Sequence, residues 1–381
     1  MKKFGSFIVL LVLVLAMTAI VANAEEDTYK FAVPCALTGD SAQFGEPIKL
    51  AVKLATDEIN AAGGINGKPM EVTLFDDKND PTEAASVAAR IVAEGDFFAV
   101  IGHHSSGATL AAAPHYERAG LVYLSASNSR DDLSEQGFQY FFRTMTKDSD
   151  NAPALANIAM DQLCAKKIAV MYTNNDWGVS FKDSIIDTVT ARGGEVVASE
   201  TYRAGDRDFS SQLAKIASYE PDALILIVEY TEAALICIQK QNTAIADIPV
   251  ISSSNADVPD FLEIGGKGVE GVIIQTIWDR WNQGSSQKSF NQKWYDNFGV
   301  PAYDTAAYYY DALYLMKYAI ENGATRDTLA DFLRQVEYEG VAGTIKFSPN
   351  GDSDGKFVYA VTVKDGEFTS YDLSTKAECP N

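Results

Sequence analysis

The chain has 381 residues, 47% of them hydrophobic, and its 52 acidic side chains against 31 lysines and arginines leave a formal charge of −21 at pH 7. Such a balance argues against nucleic acid and anionic membrane surfaces as partners, because both are bound by positive charge that displaces counterions. The length predicts two domains, and four widely spaced cysteines without a CxxC pair exclude zinc-ribbon and thioredoxin-like sites.

Lys2 and Lys3 precede a run from Phe7 to Ala22 that is apolar except for Thr18, and Ala22-Asn23-Ala24 follows it. A basic start, a short apolar core and an A-x-A end form the pattern of a cleavable signal peptide. The run is shorter than the roughly 20 residues that cross a bilayer, so residues 1–24 are predicted to be removed after Ala24. No cysteine stands at the cleavage point to take a lipid anchor. Without Lys2 and Lys3 the formal charge moves from −21 to −23. An exported chain can form disulfides. Cys35, Cys164, Cys237 and Cys379 allow three complete pairings, none of which the sequence selects. Cys237 lies in an apolar helical stretch and reads as a buried thiol.

From Tyr29 onward, strands and helices alternate. Strand Tyr29–Val33 leads to a helix whose apolar residues Ile48, Val52, Ala55 and Ile59 share one face. Gly63-Gly64 ends that helix, since glycine takes the left-handed cap conformation without steric cost. Strand Met70–Phe75, a helix opened by Pro81 and running to Glu94, strand Phe97–Ile101, helix Gly107–Ala119 and strand Leu121–Ser125 complete a first set. A break is expected around Asp148–Pro153. A second set follows: strand Lys167–Tyr172, helix Val179–Ala191, strand Glu195–Thr201, helix Phe209–Ser218, strand Ala223–Val228, helix Thr231–Gln241, and strands Ile248–Ser252 and Gly271–Thr276. The last third reads as helices Tyr303–Asn322 and Thr325–Val336, then strands Thr344–Phe347, Phe357–Val363 and Glu367–Tyr371, with Asp365-Gly366 as a hairpin turn. Repeated strand–helix–strand units predict an α/β protein with two mostly parallel, doubly wound sheets covered by helices.

Ligands of such sheets bind beyond the carboxyl ends of the strands. There the chain places Gly102-His103-His104-Ser105-Ser106-Gly107-Ala108-Thr109, whose small residues, hydroxyls and following helix N-terminus suit a carboxylate. The plain alternative is a helix cap by Ser106 or Thr109. The next strand end, Ser125-Ala126-Ser127-Asn128-Ser129, is again rich in hydroxyls. The second set contributes Trp177 after one strand and Glu229-Tyr230 after another. A carboxylate behind a buried strand is costly unless paired, so Glu229 awaits either a ligand ammonium or a lysine or arginine of the chain. His103 and His104 are neighbours that point apart, which disfavours a shared metal, and no GxSxG, P-loop or GxGxxG follows a strand. The run Asp76-Asp77-Lys78-Asn79-Asp80 lacks calcium-loop spacing and reads as a solvated loop. No metal or cofactor is expected, and no catalysis.

The chain resembles the leucine/isoleucine/valine-binding proteins, type I solute-binding proteins of branched-chain amino acid ABC transporters. The most specific element is Glu58-Ile59-Asn60-Ala61-Ala62-Gly63-Gly64-Ile65-Asn66-Gly67-Lys68. Leu37-Thr38-Gly39 with Phe44-Gly45, Asp76-Asp77 with Asp80-Pro81, Ile101-Gly102-His103, Ser125 to Asn128, and Phe142-Arg143-Thr144 add to it. The resemblance implies the type I periplasmic-binding-protein fold, with three crossings between lobes that close on a ligand. It assigns 25–146 plus 277–353 to the N-terminal lobe and 147–276 plus 354–381 to the C-terminal lobe. It also implies a periplasmic monomer that hands an amino acid to a membrane permease. The ligand carboxylate would fall on Ser106 with Ser105 beside it, the ammonium near Asn128 and Ser129, and aromatic contacts on Phe44, Trp177 and Tyr230. Two departures stand out. The acidic residue that meets the ammonium in the family is replaced around Ser253-Ser254-Asn255, leaving Glu229 as substitute and Ser254 as a polar contact. The paired cysteines of some members are absent near Asn79 and Ser105. An amine-free aliphatic or aromatic carboxylate is the alternative ligand, and a secreted hydrolase the remote alternative function.

Overall fold

A computed structural model describes residues 28–39, 41–278, 286–355, 358–374 and 376–379. The predicted leader, 1–24, and Phe357 lie outside the described residues.

Strands β1 (Tyr29–Cys35), β2 (Met70–Asp76), β3 (Ala99–Ile101), β4 (Tyr123–Ser125) and β5 (Phe141–Arg143) form one parallel sheet in the order β2-β1-β3-β4-β5. The second sheet has the order β14-β13-β10-β9-β8-β6-β7. Its strands β6 (Lys167–Thr173), β7 (Glu195–Tyr202), β8 (Ala223–Ile227), β9 (Val250–Ser252) and β10 (Ile273–Thr276) are parallel. Strands β13 (Tyr359–Lys364) and β14 (Glu367–Ser370) add an antiparallel edge, joined by the predicted turn at Asp365 and Gly366, both at positive φ. Strands β11 (Glu337–Gly340) and β12 (Gly343–Lys346) make a separate two-stranded ribbon.

Each sheet is buried on both faces, which is why β8 can be the unbroken apolar run Ala-Leu-Ile-Leu-Ile. On one face of the first sheet pack α1 (Ala42–Ala61) through Ile48, Val52, Ala55 and Ile59, the predicted stripe, and α10 (Asp304–Glu321). Helix α9 (Ser286–Phe298), which the sequence pattern does not announce, adds Phe290 and Trp294 to the same core. The other face is covered by α2 (Pro81–Glu94), capped by Asp80 accepting from the amides of Thr82 and Glu83, and by α3 (Ser106–Ala119). The second sheet lies between α4 (Asp148–Asn157) with α5 (Asp176–Ala191) on one side, and α6 (Ser210–Ala217), α7 (Tyr230–Lys240) and α8 (Pro259–Gly265) on the other. The short α11 (Leu329–Leu333) is all that forms of the predicted helix Thr325–Val336.

One expectation is corrected here. The predicted break at Asp148–Pro153 is the start of α4. Ala152, Leu155 and Ala156 bury an apolar stripe against the second sheet, while Pro153 faces solvent, so tertiary packing overrides the helix-breaking proline. Cys164, just beyond this helix, is bonded to Cys379, and Cys35 and Cys237 are buried free thiols.

The chain leaves the first sheet after β5, returns to its core after β10 at Ile277 and Trp278, and leaves again after Phe347 for β13. The first and third passages are laid side by side. Gly351, at φ 86°, lies so close to the Phe141 carbonyl that a Cβ would come within 2.1 Å of the oxygen, so only glycine fits. The Arg143 amide donates to the Gly351 carbonyl at 2.9 Å. The buried Arg143 side chain donates from Nε to Asp352 Oδ1 at 2.6 Å, from Nη1 to the Arg130 carbonyl at 2.6 Å, and from Nη2 to Ser134 Oγ at 3.0 Å. Arg143→Ala leaves Asp352 buried without its main partner, a defect worth about 3–5 kcal/mol. The low end is expected, because Lys147 remains 3.6 Å from Asp352. Urea unfolding measures the loss. A change no larger than that of an exposed ion pair, about 1 kcal/mol or less, would show that the passages hold together without this arginine.

Candidate functional site

Parallel strands deliver their following loops to one edge of the sheet, and those edges of the two sheets face each other across a cleft of about 1000 Å³, mouth included. The first sheet contributes Gln43 and Phe44 after β1, Asn79 after β2, His104 to Ser106 after β3, Ser127 and Ser129 after β4, and Met145 after β5. The second contributes Trp177 and Phe181 after β6, Glu229 and Tyr230 after β8, and Ser254, Asn255 and Val258 after β9. Tyr303, Asp304 and Thr305, at the start of α10, close one side.

Eight of the nine sequence-predicted site residues therefore meet in one place: Phe44, Ser105, Ser106, Ser129, Trp177, Glu229, Tyr230 and Ser254 all line the cleft. Asn128 is not among the lining residues. Its buried amide donates from Nδ2 to the His103 carbonyl at 3.1 Å and to Thr109 Oγ1 at 2.5 Å, and its backbone amide donates to Ser125 Oγ. It is a strut behind the wall, tying the β4 loop to the β3 loop.

The helix cap falls on Ser105, whose Oγ accepts from the Ala108 amide at 3.3 Å, and not on Ser106 or Thr109. That leaves the Ser106 hydroxyl, buried at the first turn of α3, clear of the cap and beside the positive end of a 14-residue helix. An anion fits there. Ser129 stands one strand further along, next to Asp148, whose carboxyl burial pushes up to about 7 while the hydroxyls of Ser129 and Ser180 favour its ionised form.

The two histidines point apart, as adjacent residues should. His103 is buried, with Nδ1 2.6 Å from Asp77 Oδ2 and Nε2 3.0 Å from Tyr116 Oη. Asp77, expected in a solvated loop, is 1% exposed. The local sequence gives no sign of its partner, which the fold brings across β1. His104 turns into the cleft and stacks on Phe44 (centroids 5.2 Å apart, planes 18° apart), and burial pushes its imidazole down to about 4, so it is neutral at pH 7.

Glu229 precedes α7 but does not cap it; its Oε2 accepts from Asn255 Nδ2 at 2.6 Å. Burial pushes its carboxyl up to about 7, Asn255 opposes that shift, and the Glu232 carboxylate adds to it. Among the described residues no lysine or arginine is set against it; the groups that act on it are Asn255 and Glu232. Asn255 thus stands in the loop where the family's acid is missing and fixes a carboxylate carried by the neighbouring strand.

The walls touch near the mouth. Tyr230 meets Phe44 edge to face at 6.4 Å and donates from Oη to Gln43 Oε1 at 3.4 Å, and Arg130 lies 3.3 Å from Asp176. Gly107 allows this approach, since a Cβ there would come within 2.9 Å of the Asp176 carboxylate. Among the described residues no cluster of histidine, cysteine or carboxylate side chains is arranged to hold a metal ion.

Asn79 and Asn255 also line the cleft without having been singled out, and His104 had been weighed only as a metal ligand or base. The rule that points beyond strand ends reaches Asn79 and His104 as well, because they follow β2 and β3. Nothing in the local pattern marks Tyr303 to Thr305, which no strand precedes.

The periplasmic binding protein family matches residues 28–367. A leucine-, isoleucine-, valine-, threonine- and alanine-binding protein of Pseudomonas aeruginosa is 26% identical over 91% of this chain and 90% of its own length. The Leu/Ile/Val-binding protein of Escherichia coli is also 26% identical, over 86% and 88%. Among solved structures, a leucine-binding protein from Thermotoga maritima superposes with a TM-score of 0.82 at 28% identity, covering 90% of this chain and 98% of that one. A branched-chain amino acid transporter substrate-binding protein from Streptococcus pneumoniae in complex with isoleucine gives the same values. With two doubly wound lobes facing each other across a polar and aromatic cleft, and with the family match running almost end to end, this chain belongs to the periplasmic binding proteins.

Proposed function

We propose that this protein is the solute-binding component of an ABC transporter, capturing an amino acid between its lobes and delivering it to a membrane permease. The observation that carries the reading is Glu229: a buried carboxylate, positioned by Asn255, with no cation among the described residues against it. Such a group is costly to keep ionised unless a positive partner arrives, and a ligand ammonium is that partner. The ligand carboxylate belongs at Ser106, beside the α3 N-terminus, and the Ser129 hydroxyl stands on the same wall near the ammonium. Its side chain lies against Phe44, Trp177 and Tyr230. The named ligands of the relatives, leucine, isoleucine and valine among them, support the class of solute. The chain acts as a binding protein with no catalytic step, as a monomer in the periplasm after cleavage behind Ala24. Its lobes comprise 25–146 with 277–353 and 147–276 with 354–381, and close by hinge motion at the three passages.

The loss of the family's acid favours one other reading, an amine-free carboxylate in the same cleft, with Glu229 protonated. Three measurements decide. On protein stripped of ligand by unfolding and refolding, Ser106→Ala with Ser129→Ala should weaken leucine or phenylalanine binding at least about 100-fold, since hydrogen bonds to charged groups are each worth about 1.5–3 kcal/mol. Unchanged affinity in calorimetry would remove both serines from the site. Glu229→Gln should abolish amino-acid binding and spare 4-methylpentanoate; equal effects on both would refute the ammonium contact. Glu229 also has a stability signature without ligand. The unfolded chain releases this proton near 4.5 and the folded protein holds it to about 7. Between those values the folded state binds more protons, so its stability falls as pH rises. Glu229→Gln should therefore gain stability relative to wild type from pH 4 to pH 8 in denaturant unfolding. Asp148 titrates alike in both proteins, and parallel curves would show that Glu229 is solvated.

A further inference from the structure

We propose that the cleft wall formed by the loops after β2 and β3 is a polar subsite in which His104 and Asn79 hydrogen-bond a hydroxyl on an aromatic ligand side chain. The inference rests on the reading of the cleft as a carboxylate-anchoring site.

Two buried polar atoms on the cleft wall have no hydrogen-bond partner: His104 Nδ1 and Asn79 Oδ1. Buried groups of this kind are nearly always satisfied, and these two belong to residues that line the cleft, where a ligand's polar group can reach them. The other end of the Asn79 amide is occupied, Nδ2 donating to Ser41 Oγ at 3.1 Å. His104 is neutral and offers one donor and one acceptor nitrogen. A hydroxyl both donates and accepts, and so can satisfy the two side chains at once.

The positions are held by the same buried pair. Asp77 Oδ1 accepts from the Asn79 amide at 2.9 Å, while its Oδ2 meets the ring of His103, the neighbour of His104. Asn79 and His104 are thereby fixed relative to each other through one carboxylate, as a recognition site requires.

Distance sets the kind of ligand. Ser106 follows β3 and Asn79 follows β2, with β1 between them, and two strand spacings are about 10 Å. A phenol hydroxyl with its hydrogen bond reaches that far from an anchored carboxylate; a leucine methyl does not. On the way the ring passes the Phe44–His104 stack and the Tyr230 edge, surfaces that suit another aromatic ring.

The test is calorimetry on stripped protein with two ligand pairs, tyrosine against phenylalanine and 4-hydroxyphenylacetate against phenylacetate. Wild type should prefer the hydroxylated member of a pair at least about tenfold, because a site built to bond a hydroxyl rejects the analogue lacking it. His104→Leu and Asn79→Ala should each bring the ratio towards one, the readout being the preference within each ligand pair whatever the affinity for either member. If either variant unfolds, His104→Phe and Asn79→Gly serve in its place, since neither can bond the hydroxyl and glycine tolerates the positive φ of Asn79. A ratio near one in wild type, or one unchanged in the variants, overturns the subsite. Discrimination within the amine-free pair alone supports the subsite and refutes the amino-acid reading.

Discussion

Beside the cleft two chain passages are tied together, and the tie is Arg143. A buried guanidinium is tolerable only when its donors are met and its charge is balanced. Here Nε, Nη1 and Nη2 reach Asp352, the Arg130 carbonyl and Ser134, so residues 209 positions apart in sequence become one junction. Gly351 completes it by letting two backbones approach closer than any side chain would permit. The junction lies where the chain passes between the two sheets, whose carboxyl edges face each other across the cleft.

Within the cleft, the first wall is preorganised and the second carries the charge. Asp77, His103 and Tyr116 form a buried chain that anchors the loops after β2 and β3 from behind. Asn128 ties the loop after β4 to the same region. The side chains in front, Ser106 and His104, therefore project from loops already fixed. Opposite them, Glu229 is held by a neutral amide, which orients the carboxylate without neutralising it. Among the described residues no lysine or arginine is set against it.

Much of this was legible from residues alone. The helix Pro81–Glu94 is marked at both ends, by Asp80 with Pro81 and by Gly95 at positive φ, and it forms with the predicted bounds. The α1 stripe and the apolar run of β8 carry their periodicities in plain view. Loops after strands named eight of the nine expected side chains as cleft residues, because in parallel sheets chain order and spatial edge coincide. What failed did so for one reason. Asp77 looked solvated because its partner lies across β1, and Asp148–Pro153 looked like a break because the packing that holds α4 comes from the second sheet. By sequence the cap falls on Ser106 or Thr109, and only the backbone geometry of the folded loop puts it on Ser105 instead.

The sequence by itself thus determined the alternation of elements, the two-sheet plan and the strand ends at which a ligand would be met, since these follow from short-range periodicity and chirality. The tertiary structure decided the Cys164–Cys379 pairing, the partner of Glu229, the burial of Asp77 and the company kept by Asn79 and His104. Each of those depends on which distant segments become neighbours. That is set by the packing of whole sheets and by the Arg143 junction, and no local pattern of residues contains it.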